Sequence, residues 1–188
     1  MSAALNCNIS FIGGGNMAQA LIGGLIARGL PATRITVSDP VEKVRLLLAE
    51  KEVNVTDDNI AAIKHADIVL FAVKPQVLAD VLKPLHGLLD GKLIISIVAG
   101  AEIATLSSLL GTDRIVRVMP NTPALVQTGA HGLFANADMS TADRELASQV
   151  LASTGLTIWV NSETQIDAVT AVSGSGPAYF FYMMESMI

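Results

Sequence analysis

The sequence predicts a doubly wound α/β fold: an open, mostly parallel sheet with helices on both faces. Three observations predict it. Short apolar runs alternate with longer segments of helical periodicity along most of the chain, the order that builds parallel sheets through crossover helices. Two of those runs, Ile68–Val73 and Leu93–Val98, are apolar throughout except for Ser96, as strands covered on both faces are. The first run, Asn8–Ile12, passes through Gly13-Gly14-Gly15 straight into a helical pattern. That strand–turn–helix join brings bare backbone up to a bound group.

The remaining elements follow in order. Asn16–Arg28 is the first helix, stopped by Gly29 and Pro31. Ile35–Ser38 is the second strand, and Pro40 leads into a helix over Val41–Glu50, where a proline near the start is tolerated. Val53–Thr56 is a weaker strand, and Asp57-Asp58-Asn59 caps a short helix to about Lys64. Helical periodicity covers Gln76–Leu89 and stops before Asp90-Gly91. Glu102–Leu110 is a helix ended by Gly111, and Ile115–Met119 a strand that stops at Pro120. The rhythm then changes. Gly132–Asn136 reads as an added strand, Ala142–Ser153 as a helix, and Leu156–Val160 as a further strand. Asp143, Arg144 and Glu145 read as a solvated face of that helix. Ile166–Val172 is helical, Ser173–Pro177 interrupts it, and Ala178–Ile188 is a strongly apolar helix with no stop signal. So apolar a helix needs a covering surface. Either it folds back on the sheet or it meets a further helical domain, and the missing stop favours the second.

Composition narrows the function. The chain has 188 residues, a net charge of −5 and no Lys/Arg-rich stripe. Nucleic-acid binding, which needs clustered cations, is disfavoured. Cys7 is the only cysteine, so an intramolecular disulfide and a thiolate metal cage are both excluded. His65, His86 and His131 are isolated and form no metal-ligand spacing. No signal-peptide pattern and no apolar run of membrane-spanning length is present, so the expectation is a soluble protein of the reducing cytoplasm, with no metal.

The glycine turn carries the first functional reading. Gly13 permits the tight turn, Gly15 lets a diphosphate approach the backbone, and Ala18 is small enough for the helix to pack on the strand. The new helix aims its N-terminus at the negative charge. Ser38 and Asp39 end the second strand, where the adenosine ribose would lie. Asp39 either accepts from a ribose 2′-hydroxyl, which favours NAD, or caps the helix that follows. Lys43 could offer a cation to a 2′-phosphate. NAD and NADP both stay open on these residues.

Further along, Lys74-Pro75 follows the fourth strand and Ala99-Gly100 the fifth, at the carboxyl ends where ligands bind in this architecture. Pro120 and Pro123 bracket Asn121 and Thr122, a rigid corner with neutral donors suited to a carboxylate or carboxamide, or a plain structural turn. Ser173, Gly174, Ser175 and Gly176 offer small side chains and amides ahead of Pro177. That geometry could bind a substrate carboxylate or act as an interdomain hinge.

Four motifs together resemble the pyrroline-5-carboxylate reductases. They are Phe11-Ile12-Gly13-Gly14-Gly15-Asn16-Met17-Ala18, Val73-Lys74-Pro75, Met119-Pro120-Asn121-Thr122-Pro123 and Val172-Ser173-Gly174-Ser175-Gly176-Pro177-Ala178-Tyr179. The first is shared by many dehydrogenases; the last two are specific. The resemblance implies NAD(P)H-dependent reduction of a cyclic imine carboxylate, 1-pyrroline-5-carboxylate, to L-proline, the last step of proline biosynthesis. It implies a Rossmann-type domain over residues 1–163, and over 164–188 the start of an all-helical domain through which the family forms homodimers and larger assemblies. Ile12, Gly13, Gly14, Gly15, Asn16, Met17, Ser38, Asp39, Asn59, Val73, Lys74, Ala99 and Gly100 would line the cofactor, with Pro75 shaping the turn. Asn121, Thr122 and the Ser173–Gly176 run would lie near the substrate; no catalytic acid or base is assigned. NADPH is the reductant the resemblance favours, although Asp39 stands where the family commonly has a small neutral residue, which keeps NADH possible. The family's substrate loop is expected beyond residue 188, so a chain of this extent is expected to bind cofactor and turn over poorly alone.

Two other readings remain. A related dehydrogenase acting on a small hydroxy acid would usually place a catalytic lysine in its second domain, and no lysine follows Lys92. A non-catalytic dinucleotide-binding or assembly module would bind cofactor without transferring hydride to an imine.

Overall fold

β-Branched and leucine-rich runs of three to six residues make the strands, and the central ones are covered on both faces. In the computed structural model, which describes residues 5–188, they form one eight-stranded sheet in the order β3-β2-β1-β4-β5-β6-β7-β8. The first four residues of the expected 1–163 domain lie outside the described part. Strands β1 (Ile9–Ile12), β2 (Ile35–Ser38), β3 (Asn54–Thr56), β4 (Ile68–Phe71), β5 (Leu93–Ser96) and β6 (Ile115–Met119) run parallel. The chain winds outward from β1 in one direction to β3 and in the other to β6, so the reversal of strand order falls between β1 and β4, where such folds open a crevice. The register places Ile12 level with Ser38 and Phe71. Gly13, Asp39 and Ala72 therefore share one rim.

One face of the sheet is covered by α1 (Asn16–Ala27), α2 (Glu42–Ala49) and α6 (Thr141–Leu151), which pack Leu21, Ile22, Leu48 and Val150 on Phe11, Val37 and Val118. The other is covered by α3 (Asn59–Ile63), α4 (Leu78–Leu82) and α5 (Ile103–Leu110), which pack Ile63, Leu82 and Leu106 on Phe71 and Ile94. Each fully buried leucine or phenylalanine contributes about 1.5–3 kcal/mol. Asp58 caps α3 by accepting from the Ile60 and Ala61 amides. Gly111, at φ 75°, ends α5 in the left-handed conformation that glycine adopts freely.

Three expectations need correction. The helix expected over Gln76–Leu89 is broken: a 3-10 turn at Pro75–Val77, then α4, then a second 3-10 turn at Lys83–Leu85. Pro84 has no amide hydrogen and its ring collides with the carbonyl four residues back, which ends α4. The added strand begins earlier than expected: β7 spans Gly129–Phe134, antiparallel to β6, and β8 (Gly155–Trp159) runs parallel to β7. Asp143 is buried rather than solvated. Both its oxygens are engaged by Arg114, with Nε at 2.9 Å from Oδ2, and this holds its carboxyl below the usual carboxylate range. Arg144 stacks on Trp159 with its guanidinium 4.8 Å from the ring centroid.

His131 on β7 is fully buried, with Nε2 3.0 Å from Thr154 Oγ1 and Nδ1 without a hydrogen-bond partner among the described residues. Desolvation lowers its pKa from the ordinary 6.5. The unfolded chain then takes up a proton that the folded chain refuses. The contribution of this group to stability is complete above about pH 6.5 and is lost as pH falls below it, at no more than about 1.4 kcal/mol per pH unit. Urea unfolding between pH 7.5 and 5 should show that loss, and His131→Gln should flatten it; equal slopes in the two proteins would contradict the assignment.

Candidate active site

The crevice is built first by the glycine turn between β1 and α1. Gly13 sits at φ 101°, and a Cβ there would lie 2.8 Å from the Ala72 carbonyl oxygen. A Cβ on Gly14 would meet methyls of Leu48 and Val44 at 2.7 Å. Both are glycine because the backbone is pressed against neighbours. Their amides are tied to the end of β2: Gly13 N–H donates to Ser38 O at 2.8 Å, and Gly14 N–H donates to Asp39 Oδ2 at 2.8 Å. Gln19 Nε2 donates to Gly14 O at 2.8 Å and pins the turn from the helix side.

Gly15 differs from the other two. A Cβ there would meet nothing within 4 Å. It precedes α1 as an N-cap without a side-chain hydrogen bond, and the first helical donor is Gln19 N–H to Gly15 O at 2.9 Å. The amides of Asn16, Met17 and Ala18 therefore have no acceptor within the helix, and the positive end of the helix dipole faces the crevice. The open backbone at Gly15 and these unpaired donors fit the diphosphate of a dinucleotide.

The end of β2 brings together three residues singled out in the sequence. Ser38 Oγ donates to Asn59 Oδ1 at 2.7 Å. Asp39 is only 9% exposed, and besides Gly14 it accepts from the Val41 amide at 2.9 Å through Oδ1. Asp39 is not the N-cap of α2, which is Val41; its carboxylate holds the Val41 amide in the turn that leads into that helix. Lys43 is exposed. The cation at this end is Arg45, which sequence reasoning missed. Its Nη1 donates to Asp39 O at 2.7 Å and Pro40 O at 3.0 Å, and its Nη2 lies 3.9 Å from Asp57 Oδ2. Its place at the end of the first turn of α2, five residues beyond Pro40, was the available signal.

The other rim residues also sit at carboxyl ends of strands. Val73 flanks Gly13, with Cγ1 3.2 Å from where a Gly13 Cβ would be. Lys74 and Pro75 are exposed as the chain leaves β4. Ala99 and Gly100 are exposed after β5, with Gly100 at φ 73° and open space around it. Beyond β6, Asn121 Oδ1 accepts from the Ala130 amide at 2.9 Å, which anchors the start of β7. Its Nδ2 stays available, and the Thr122 side chain is exposed.

The Ser173–Gly176 run does not interrupt the helix, contrary to expectation. α7 (Thr164–Val169) continues through a π-helical turn at Thr170–Ser175 into α8 (Gly176–Met187). Gly176 N–H donates to Ala171 O, five residues back. The widened turn accommodates Pro177, which cannot donate and would otherwise crowd the Ser173 carbonyl. A free helix N-terminus for anion binding is therefore absent here. What the run does supply is close approach: a Cβ on Gly174 would lie 2.8 Å from Met119 Cε, so the segment sits against the end of β6 beside Asn121 and Thr122. α8 leaves Phe180, Phe181, Met183 and Met187 exposed.

Other chemistries find little support. The Cys7 thiol is pushed up to about 11 by burial and by Asp67, so it is no nucleophile at neutral pH. Among the described residues no group of three His, Cys, Asp or Glu side chains is placed to hold a metal ion.

Comparison with known proteins agrees with this geometry. Residues 8–100 match a family model described as "NADP oxidoreductase coenzyme F420-dependent", and residues 163–188 match one described as "Pyrroline-5-carboxylate reductase dimerisation". A pyrroline-5-carboxylate reductase of Pseudomonas aeruginosa is 50% identical over 182 residues, covering 95% of this chain and 67% of that protein. The structure of a pyrroline-5-carboxylate reductase from Coxiella burnetii superposes with a TM-score of 0.90 at 42% identity, over 97% of this chain and 69% of that one. A Plasmodium falciparum pyrroline carboxylate reductase with NADP bound gives 0.84 at 32% identity, over 96% and 67%. With this identity, this coverage and a crevice built as a dinucleotide site, the chain belongs to the pyrroline-5-carboxylate reductase family.

Proposed function

We propose that this chain performs the family's reaction, reduction of the carbon–nitrogen double bond of 1-pyrroline-5-carboxylate to give L-proline, with NADPH as reductant. The observation that carries the proposal is the bare backbone at Gly15 joined to the uncapped N-terminus of α1. When bound, the nicotinamide supplies hydride from C4. Everything else is positioning by the chain. The amides of Asn16, Met17 and Ala18 hold the diphosphate. Ser38, Asn59 and Arg45 form the wall at the adenosine end. Val73, Lys74, Pro75, Ala99 and Gly100 shape the path toward the nicotinamide.

Asn121 Nδ2 and the Thr122 hydroxyl are donors suited to the substrate carboxylate, and Ser173–Gly176 closes that side of the crevice. A protonated cyclic imine accepts hydride without further activation, so holding the reacting carbons together is the main requirement. Alignment of this kind lowers barriers by roughly 7–11 kcal/mol. Residues 1–163 serve as the cofactor domain and 164–188 as the first helical segment of the dimerisation domain. The exposed aromatic side chains of α8 are then the surface that a second copy covers, giving a homodimer or a larger assembly. None of the helices among the described residues is long and apolar enough to cross a membrane, and a cytoplasmic site fits this role.

Titration of NADPH followed by its fluorescence, and NADPH oxidation with 1-pyrroline-5-carboxylate, test the proposal. Saturable binding and slow, imine-dependent oxidation are expected. Binding without oxidation by any cyclic imine would favour the non-catalytic module, and absence of binding would refute the cofactor site itself.

A further inference from the structure

We propose that Asp39 is the latch of the glycine turn and not the acid that reads the ribose, and that NADPH is compatible with a carboxylate at this position for that reason. The inference rests on the cofactor reading above and adds what this chain's own residue does there.

Position alone suggests the opposite. An acid at the end of β2 is placed to accept from a ribose 2′-hydroxyl and to repel a 2′-phosphate. The geometry directs the carboxylate elsewhere. Oδ2 accepts from the Gly14 amide at 2.8 Å and Oδ1 from the Val41 amide at 2.9 Å, so both oxygens serve backbone donors of the protein. The residue is 9% exposed, which leaves little of it for a ligand to touch. The Arg45 guanidinium donates to the Asp39 backbone carbonyl at 2.7 Å and pairs with Asp57 at 3.9 Å, which sets a cation at the same strand end, where a phosphate would approach.

The latch has a clear mechanical consequence. Gly13 and Gly14 hold successive amides on Ser38 O and Asp39 Oδ2. With those two amides turned toward β2, the amides of the first helical turn, at Asn16, Met17 and Ala18, are left for the diphosphate. Gly14 is buried, so loss of its acceptor leaves an amide that water cannot readily reach. Hydrogen bonds to an ionised acceptor are among the stronger ones in proteins. Removal of the carboxylate should relax the turn that both dinucleotides use, and NADPH and NADH should weaken together.

The test measures dissociation constants of NADPH and NADH for wild type, Asp39→Ser and Asp39→Asn, at a temperature well below each variant's unfolding midpoint. Asp39→Ser is expected to weaken both cofactors by about tenfold or more, with their ratio within about threefold of wild type. Asp39→Asn retains one oxygen for the Gly14 amide and should recover part of the loss for both, and it serves as the informative variant should the serine protein not fold. Tighter NADPH with weaker NADH would make Asp39 a ribose reader and overturn the latch while leaving the reductase reading intact. Unchanged constants for both would reduce Asp39 to a structural residue and overturn it equally. Wild type that binds neither cofactor would overturn both this inference and the reading beneath it.

Discussion

Gly15→Val is expected to leave the fold intact and to weaken NADPH binding by about a hundredfold or more, or roughly 3 kcal/mol. The two halves of that expectation come from the same observation. Gly15 has φ −66° and ψ −179°, a conformation open to any residue, and its Cβ would meet nothing within 4 Å. Valine is a poorer N-cap than glycine, which costs about 1 kcal/mol at most. In the complex the same open space is the approach path of the diphosphate, and isopropyl methyls would occupy it. Gly13→Val is the contrasting control. At φ 101° with the Ala72 carbonyl 2.8 Å away, it should destabilise the protein whether or not cofactor is present. Thermal unfolding and NADPH titration on the two variants separate the effects. A Gly15→Val protein that binds NADPH within threefold of wild type would place the diphosphate somewhere other than this turn.

The contrast between these two glycines shows what a sequence discloses and what it withholds. The pattern of Gly13, Gly15 and Ala18 after an apolar strand identifies the turn: Gly13 and Ala18 are small because they are packed against neighbours, and Gly15 leaves its surroundings open. The parallel strands were equally legible: Ile68–Phe71 and, apart from Ser96, Leu93–Ser96 are apolar, as strands buried on both faces are. Local periodicity does not encode which partner a polar side chain finds. Asp39 could be a ribose ligand or a helix cap by position, and its oxygens accept from the Gly14 and Val41 amides. Asp143 looked solvated by its neighbours and is paired with Arg114, 29 residues away. The Ser173–Gly176 run has the composition of a loop. Its glycines are explained by Met119, a residue on another strand, and by the widened turn that Pro177 requires. Arg45 and Arg117 carried no motif, yet one sits at the end of β2 and the other at the base of α7. In each case the deciding contact is distant in sequence or depends on which face of an element turns inward.

Arg117→Met is the second large effect, and it reads the join between sheet and α7. Arg117 lies on β6, and its side chain is 4% exposed. Nη1 donates to Glu163 Oε1 at 3.0 Å and Nη2 to Asp167 Oδ1 at 3.1 Å. Glu163 Oε1 also accepts from the Ile103 amide at 2.8 Å, so one carboxylate links β6, the start of α5 and the start of α7. Breaking a fully buried pair from one side costs about 3–5 kcal/mol. Here Glu163 and Asp167 are 26% and 69% exposed at the side chain, so water can take over part of the guanidinium's role, and about 2 kcal/mol is the expected loss. Glu163→Gln keeps an oxygen for Ile103 and leaves Arg117 paired with Asp167, so it should cost less. The functional consequence follows from position. α7 carries the chain into the π-helical turn whose Gly174 sits on Met119, beside the corner proposed to hold the substrate carboxylate. Arg117→Met should therefore raise KM for 1-pyrroline-5-carboxylate several-fold while the dissociation constant of NADPH, bound at the far side of the crevice, stays within about twofold. Urea unfolding with the Arg117→Met/Glu163→Gln double variant gives the coupling between the two residues. A single variant within 0.5 kcal/mol of wild type, or a parallel loss of cofactor and substrate affinity, would show that this clamp does not position the substrate side.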